Sequence, residues 1–219
     1  SLVDFVETAP QTFALTPLAE FLQADHPQTL RPLILMMGAT QYDAWGALEH
    51  SVRTGETGFQ HRHGRPLFEH LRDHPEEAAI FDQAMVSIHG RETAAIRTAY
   101  DFSTFRTAVD VGGGNGSQLI ELLQHTPGLR GTVFDLPDVA ERARSAITAA
   151  GLEDRCDAVG GSFFETIPAG ADAYLLRHII HDWYDTESQR ILQAIRAAFP
   201  AHGKLLVIET VIPAGNDPC

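Results

Sequence analysis

From Phe105 onward, short apolar runs alternate with segments whose apolar residues recur every three or four positions. The runs Ala108–Val111, Gly131–Phe134, Ala158–Val159, Ala173–Leu176 and Leu205–Ile208 predict five strands. Between them, Leu119, Ile120, Leu122 and Leu123 predict one helix, and a second is expected over about 138–150. A third carries Ile191, Leu192, Ile195 and Phe199, with Thr186-x-x-Gln189 reading as its capping box. Parallel strands need crossovers, so this alternation predicts an α/β fold: a parallel sheet with helices on both faces. Upstream, residues 33–103 read as mostly helical. The clearest helix starts at Pro75, with Glu76 and Glu77 favouring its N-terminal dipole. Ile80, Phe81, Ala84, Met85 and Ile88 form its apolar stripe, and Gly90 is expected to stop it. In residues 1–30, Phe13-Ala14-Leu15 reads as a strand. Thr16 then caps a helix with Pro17 at its first position and Leu18, Phe21 and Leu22 on one face.

Composition narrows the class. Of 219 residues, 44% are hydrophobic and 21% charged, which is ordinary for a globular protein and excludes a disordered or collagen-like chain. The net charge is −13, and the acid is spread evenly: residues 1–103 carry 14 acids and 7 bases, residues 104–219 carry 15 and 9. Neither half is a basic arm, which argues against nucleic acid and anionic membranes as partners. Cys156 and Cys219 are too few for a disulfide framework and suit a reducing, cytoplasmic setting. The longest strongly apolar run, Leu33 to Ala39, is far short of the ~20 residues of a membrane helix.

The chemistry-bearing motifs sit where an open α/β sheet places its ligands, beyond the carboxyl ends of the strands. The first predicted strand runs into Asp110-x-Gly112-x-Gly114-x-Gly116, and Asp135 follows Gly112 by 23 residues, at the end of the second. Glycines let the backbone approach a ligand closely, and an acid at that strand end is placed to accept hydrogen bonds from ribose hydroxyls. The dinucleotide fingerprint is G-x-G-x-x-G/A. Read from Gly112 it meets Ser117 at the third position, and read from Gly114 it fails at once. The observed G-x-G-x-G is the form found in S-adenosylmethionine (SAM) enzymes, whose ligand has no pyrophosphate. After the third strand, Gly160-Gly161-Ser162-Phe163-Phe164 lies where an adenine ring would sit. Phe163 can face that ring and Ser162 can bond its edge; a core phenylalanine pair after a turn fits the residues equally well.

His181, after the fourth strand, is the candidate general base. A phenol with a pKa of ~10 is only about one part in a thousand ionised at neutral pH, and a positioned imidazole typically contributes ~10²–10⁴-fold by removing the proton. The imidazole needs an orienting carboxylate. Glu209 supplies it if the fifth strand lies beside the fourth; Asp182 is the local alternative.

Together, Asp110–Gly116, Val133-Phe-Asp-Leu-Pro137, Arg177-His-Ile-Ile-His-Asp-Trp183 and Val207–Pro213 resemble the SAM-dependent O-methyltransferases related to caffeic acid O-methyltransferase, with bacterial natural-product members nearest. Trp45-x-x-Leu-x-x-Ser-Val-Arg-Thr-Gly55, Phe81-x-x-x-Met85 and Tyr100–Ser103 resemble the helical segment before the SAM domain, and Phe13–Pro17 the end of a winged-helix dimerisation domain. The resemblance implies a Rossmann-like class I methyltransferase fold. Residues 1–30 would be the dimerisation remnant, 31–103 a helical connector with acceptor-pocket helices, and 104–219 the SAM domain, incomplete at its C-terminus. It implies that His181 is the base, flanked by acids that include Glu209. It also implies that Gly112, Gly114, Asp135, Leu136, Ser162, Phe163 and Arg177 hold SAM, and its product S-adenosylhomocysteine. Met36, Trp45, Phe81 and Met85 would line the pocket for a small aromatic hydroxyl substrate, in a protein that is a homodimer at full length. Where the family commonly has Gly-Asp-Phe-Phe this chain has Ser162, which offers a hydrogen bond but no charge. The family continues past Pro213 with further strands and a second acid, so the chain is expected to be a middle segment.

Eleven histidines invite a metal reading, and His61-x-His63 and His70-x-x-x-His74 have ligand-like spacing. Without a Cys or Glu pattern nearby they are expected to be solvated, and the family's catalysis needs no metal. Some relatives use the same fold for hydroxylation or decarboxylation; these often lack the base, so His181-Asp182 favours methyl transfer. A winged-helix DNA-binding regulator is opposed by the charge, and an NAD-dependent dehydrogenase by the glycine spacing.

Overall fold

The computed structural model describes residues 5–212 together with 214 and 215. Pro213, the last residue of the fourth family-like motif, and Cys219 lie outside them. The chain divides into two compact units, residues 1–92 and 93–219.

The first unit opens with an antiparallel hairpin, β1 (Phe5–Ala9) and β2 (Thr12–Leu15), in register Phe5↔Leu15 and Val6↔Ala14. The predicted strand at 13–15 is β2; its partner β1 had no clear signature, since Phe5-Val6-Glu7-Thr8-Ala9 breaks strict alternation. Thr16 accepts the Ala19 N–H through Oγ1 at 3.2 Å, but what it opens is only a 3₁₀ turn, Ala19–Leu22. Five short helices follow: α1 (Arg31–Met37), α2 (Thr40–Trp45), α3 (Leu48–Thr54), α4 (Gly58–His63) and α5 (Leu67–Asp73). Left-handed Gly55 and Gly64 end α3 and α4.

The long helix α6 starts at Pro75 as expected but runs on to Ala99, 25 residues, straight through Gly90. Glycine ends a helix by adopting a positive φ, and Gly90 is absent from the positive-φ glycines. Its neighbours 91–99 are good helix formers or neutral, so continuation wins.

In the second unit, β3 (Thr107–Val111), β4 (Arg130–Asp135), β5 (Cys156–Gly160), β6 (Ala173–Arg177) and β7 (Lys204–Ile208) form one sheet in the order β5-β4-β3-β6-β7. Every pairing is parallel. The crossovers are α7 (Ser117–His125), α8 (Pro137–Ala149) and α9 (Asp185–Ala198). Alternate residues of each strand feed opposite faces. Ala108, Val133 and Leu175 pack with Leu119, Leu122, Ala143 and Ile147 of α7 and α8. Val109, Val111, Tyr174 and Leu176 pack with Ile191 and Ile195 of α9. One expectation fails locally. Helix α9 begins at Asp185, with Tyr184 as its cap and no side-chain capping bond, so Thr186 lies inside the first turn. Extended Trp183 and Tyr184 set the entry, and Asp185 and Glu187 favour the dipole end. Cys156 is buried on β5 and its thiol is pushed up to about 12, chiefly by burial, which makes it unreactive.

Candidate active site

Strand order reverses at β3, whose neighbours are β4 and β6, and the functional residues gather at the carboxyl ends of these strands. The chain leaves β3 through Gly112, at φ +71, where a Cβ would lie 2.5 Å from Ile179 Cδ1. Only glycine fits, and this brings the loop down onto the segment after β6. At Gly113 a Cβ would stand 3.0 Å from both Asp110 Oδ2 and Val133 Cγ1, a tight fit in which those side chains must give way. Gly114 donates its N–H to Asp135 Oδ2 at 2.8 Å, and Leu136 donates to Asp135 Oδ1 at 2.7 Å. The Asp135 carboxylate is thus oriented by two backbone donors.

Beneath the loop lies a buried polar cluster. Asp110 is 2% exposed, and its Oδ2 has no hydrogen-bond partner. Burial pushes its carboxyl up to about 7; the Arg177 guanidinium pulls it down and the Asp135 charge adds to the rise. Arg177 Nη1 donates to Gln118 Oε1 at 2.7 Å and to Thr93 Oγ1 at 3.1 Å, and Gln118 and Thr93 are both buried. So Arg177, expected at the cofactor, stands half-buried in an internal network. Asp110, Gln118 and Thr93 were missed as site residues. An acid inside an apolar strand and a glutamine beside Leu119 were the available signals. With Asp110 buried beneath the loop, Asp135 is the carboxylate that meets it, and an acid at this strand end suits the ribose hydroxyls that SAM carries.

After β5, Gly161 donates to the Asp135 carbonyl at 2.8 Å, which places Ser162 and Phe163 next to the acid. Ser162 Oγ accepts the Phe164 N–H at 3.3 Å. Phe163 is half-buried, edge-on to Phe164 and Trp183, and close enough to Gly112 that a Cβ there would meet it at 3.8 Å. It therefore borders both the second core and the glycine loop.

The histidine cluster follows β6. Pairing of β6 with β7 in register Arg177↔Ile208 sets Glu209 beside the segment that carries His181. That is the strand order the orienting role of Glu209 required. Glu209 Oε1 accepts the N–H groups of Ile179 and Ile180, each at 3.1 Å, and Oε2 lies 2.8 Å from His181 Nδ1. A carboxylate only accepts, so Nδ1 carries the proton and Nε2 keeps its lone pair. Asp182 Oδ1 is 3.5 Å from that Nε2, and His178 Nδ1 is 3.6 Å from Glu209 Oε2. Both candidate acids therefore flank His181. Burial acts to raise Glu209, yet the hydrogen bond and charge of His181, with His178, outweigh it and hold it below the usual range. Asp182 is raised, first by burial and then by Glu209, against the pull of His181 and His178. The His181 side chain is 52% exposed, so the ring is reachable from solvent.

In the first unit, Phe81 and Met85 are half-buried one turn apart on α6, with Phe81 edge-on to Phe68. Met36 is half-buried on α1, and Trp45 ends α2 with 61% of its surface exposed. The expectation that the spaced histidines are solvated fails for His70, which is 8% exposed, and for His63, which is half-buried; His61 and His74 are exposed. Phe59 packs against the rings of both His63 and His70, which is why they turn inward.

A family model described as an O-methyltransferase domain matches residues 45–218. Phenazine O-methyltransferase PhzM of Lysobacter antibioticus is 44% identical over 214 residues, covering 98% of this chain and 63% of that protein. The crystal structure of LaPhzM superposes with a TM-score of 0.95 at 43% identity, covering 99% of this chain and 65% of that one. The structure of the O-methyltransferase NcsB1 from neocarzinostatin biosynthesis, in complex with SAM and 2-hydroxy-5-methyl naphthoic acid, superposes at 0.87 with 34% identity, covering 96% and 65%. The chain thus spans under two thirds of the length of these relatives. The parallel sheet, the glycine loop with its acid, and a match over most of the chain all lead to one conclusion: this chain belongs to the O-methyltransferase family.

Proposed function

We propose that the protein, at full length, transfers a methyl group from SAM to a phenolic hydroxyl of a small aromatic natural product. The observation that carries this is the 2.8 Å bond between His181 Nδ1 and Glu209 Oε2, beside the glycine loop. In this reading Gly112, Gly114, Asp135, Leu136, Ser162 and Phe163 hold SAM, with Arg177 and Asp110 shaping the floor beneath the loop. SAM, when bound, supplies a methyl group on a sulfonium centre, open to attack by an oxygen nucleophile. The protein aligns the acceptor and deprotonates it. His181 Nε2 takes the phenolic proton, and the imidazolium that forms is stabilised by Glu209. Asp182 adds negative charge on the other side of the ring. Met36, Trp45, Phe81 and Met85 are apolar residues of the kind that line an aromatic acceptor's pocket. The same reading makes residues 1–30 the end of a dimerisation domain, 31–103 a connector and 104–219 the SAM domain, in a homodimeric, cytoplasmic enzyme.

The test is mass spectrometry of candidate phenols incubated with SAM and the full-length protein. A gain of one methyl group is expected. A gain of oxygen or a loss of carbon dioxide would instead favour the hydroxylase or decarboxylase alternative. His181→Ala should cut turnover at least tenfold, a positioned general base typically contributing ~10²–10⁴-fold, while SAM affinity changes little. Unchanged turnover would remove His181 as the base.

A further inference from the structure

The corner between α5 and α6 collects ionisable side chains that methyl transfer does not use. His70 and His74 are one helical turn apart. Pro75 disfavours helical backbone at His74, which takes φ −128° and ψ 76° and ends α5. Pro75 then starts α6, which brings Glu77 of its first turn back over the same face. The result is three donors at one point. His70 Nε2 is 3.1 Å from Glu77 Oε2, and the rings of His70 and His74 stack with centroids 3.9 Å apart. One ligand atom from each of His70, His74 and Glu77 lies within 4.8 Å of the others.

Two further features match what a metal requires. His74 Nδ1 is 2.7 Å from the His70 carbonyl oxygen. A carbonyl only accepts, so Nδ1–H donates, the tautomer is set, and Nε2 keeps its lone pair. Metal-bound histidines are typically held by such a bond from the other ring nitrogen. His70 is buried at the edge of the Phe59 ring, with the His63 ring 5.3 Å away, so its imidazole is walled by aromatic groups. We infer that His70, His74 and Glu77 form a binding site for a zinc-type divalent cation that clips α5 to α6. Two imidazoles and a carboxylate are the donors of three-ligand zinc sites, with a fourth position left for water. Oxygen-seeking calcium and magnesium do not match that set. The site lies apart in sequence from the His178, His181 and Glu209 group, whose ligand atoms also converge within 4.8 Å, so the experiment must separate the two.

Full-length protein, stripped with a chelator, is titrated with zinc ion against a chromophoric chelator. It is also titrated with cobalt(II), read by the intensity of its visible bands. One tight site with the strong bands of four-coordinate cobalt is expected. His74→Gln and Glu77→Gln should each weaken it at least tenfold, and His181→Gln should leave it intact. His74 is exposed and Glu77 half-buried, so both variants are expected to fold, and circular dichroism checks each. No tight binding by the wild type, undiminished binding by both folded corner variants, or loss only in His181→Gln overturns the assignment.

Discussion

Asp110 is an acid in the interior of an apolar strand, two residues before the first glycine of the loop. Its burial has a thermodynamic consequence. Its native carboxyl titrates at about 7 against an ordinary value of 3.8. The folded state therefore holds a proton that the unfolded chain has released, and its favourable contribution is lost as pH rises through about 7. Wild-type stability relative to Asp110→Asn should thus fall by about 3 kcal/mol between pH 5 and pH 8. Denaturant midpoints of both proteins across that range measure this; parallel curves would refute it. The same residue bears on Gly113, since a side chain there would press on the Asp110 carboxyl. His181 and Asp135 stand out in the sequence as candidates because of their types and strand-end positions. Gln118 and Thr93 were harder to read: a glutamine beside Leu119 is a weak local signal, Thr93 carries none, and their partner, Arg177, lies 59 or 84 positions away.

At the scale of elements, all five strands of the main sheet were readable as short apolar runs bounded by turn residues, the central ones buried on both faces and the edge strands β5 and β7 partly exposed. Helix ends were less so. Thr16 accepts the Ala19 N–H but opens only a 3₁₀ turn instead of the expected helix, and Thr186 caps nothing, because the chain geometry at Tyr184 starts α9 earlier. Gly90 shows the same limit. A glycine stops a helix only if its backbone turns left-handed, and here it stays helical. It is exposed, and a Cβ there would meet only Val86 Cγ1, at 3.8 Å. Gly90→Ala should therefore stabilise the protein by about 0.5–1 kcal/mol, through helix propensity and a less flexible unfolded chain. Thermal unfolding of the two proteins checks this, and a lower midpoint in the variant would contradict it.

At the scale of the whole chain, the charge of −13 over these 219 residues disfavours contact with a polyanion. Binding to a polyanion draws on clustered cations that release counterions, and neither half of this chain has a basic excess. A mobility-shift titration with duplex DNA should show no retarded band even at low salt. A band that fades as salt is added would restore the regulator reading. Among the described residues no helix is long and apolar enough to cross a membrane.

The sequence by itself determined the parallel α/β sheet and the glycine loop with Asp135, and it singled out His181 as the candidate base. These are local signals: a period, a spacing, a residue type at a strand end. Tertiary structure decided the rest. It set β7 beside β6, so that Glu209 reaches His181 while Asp182 faces the other nitrogen. It buried Asp110 against Arg177, and it folded α5 onto α6 so that His70 turns inward toward Glu77. Each of these depends on which distant segments pack together, and local periodicity does not encode that choice.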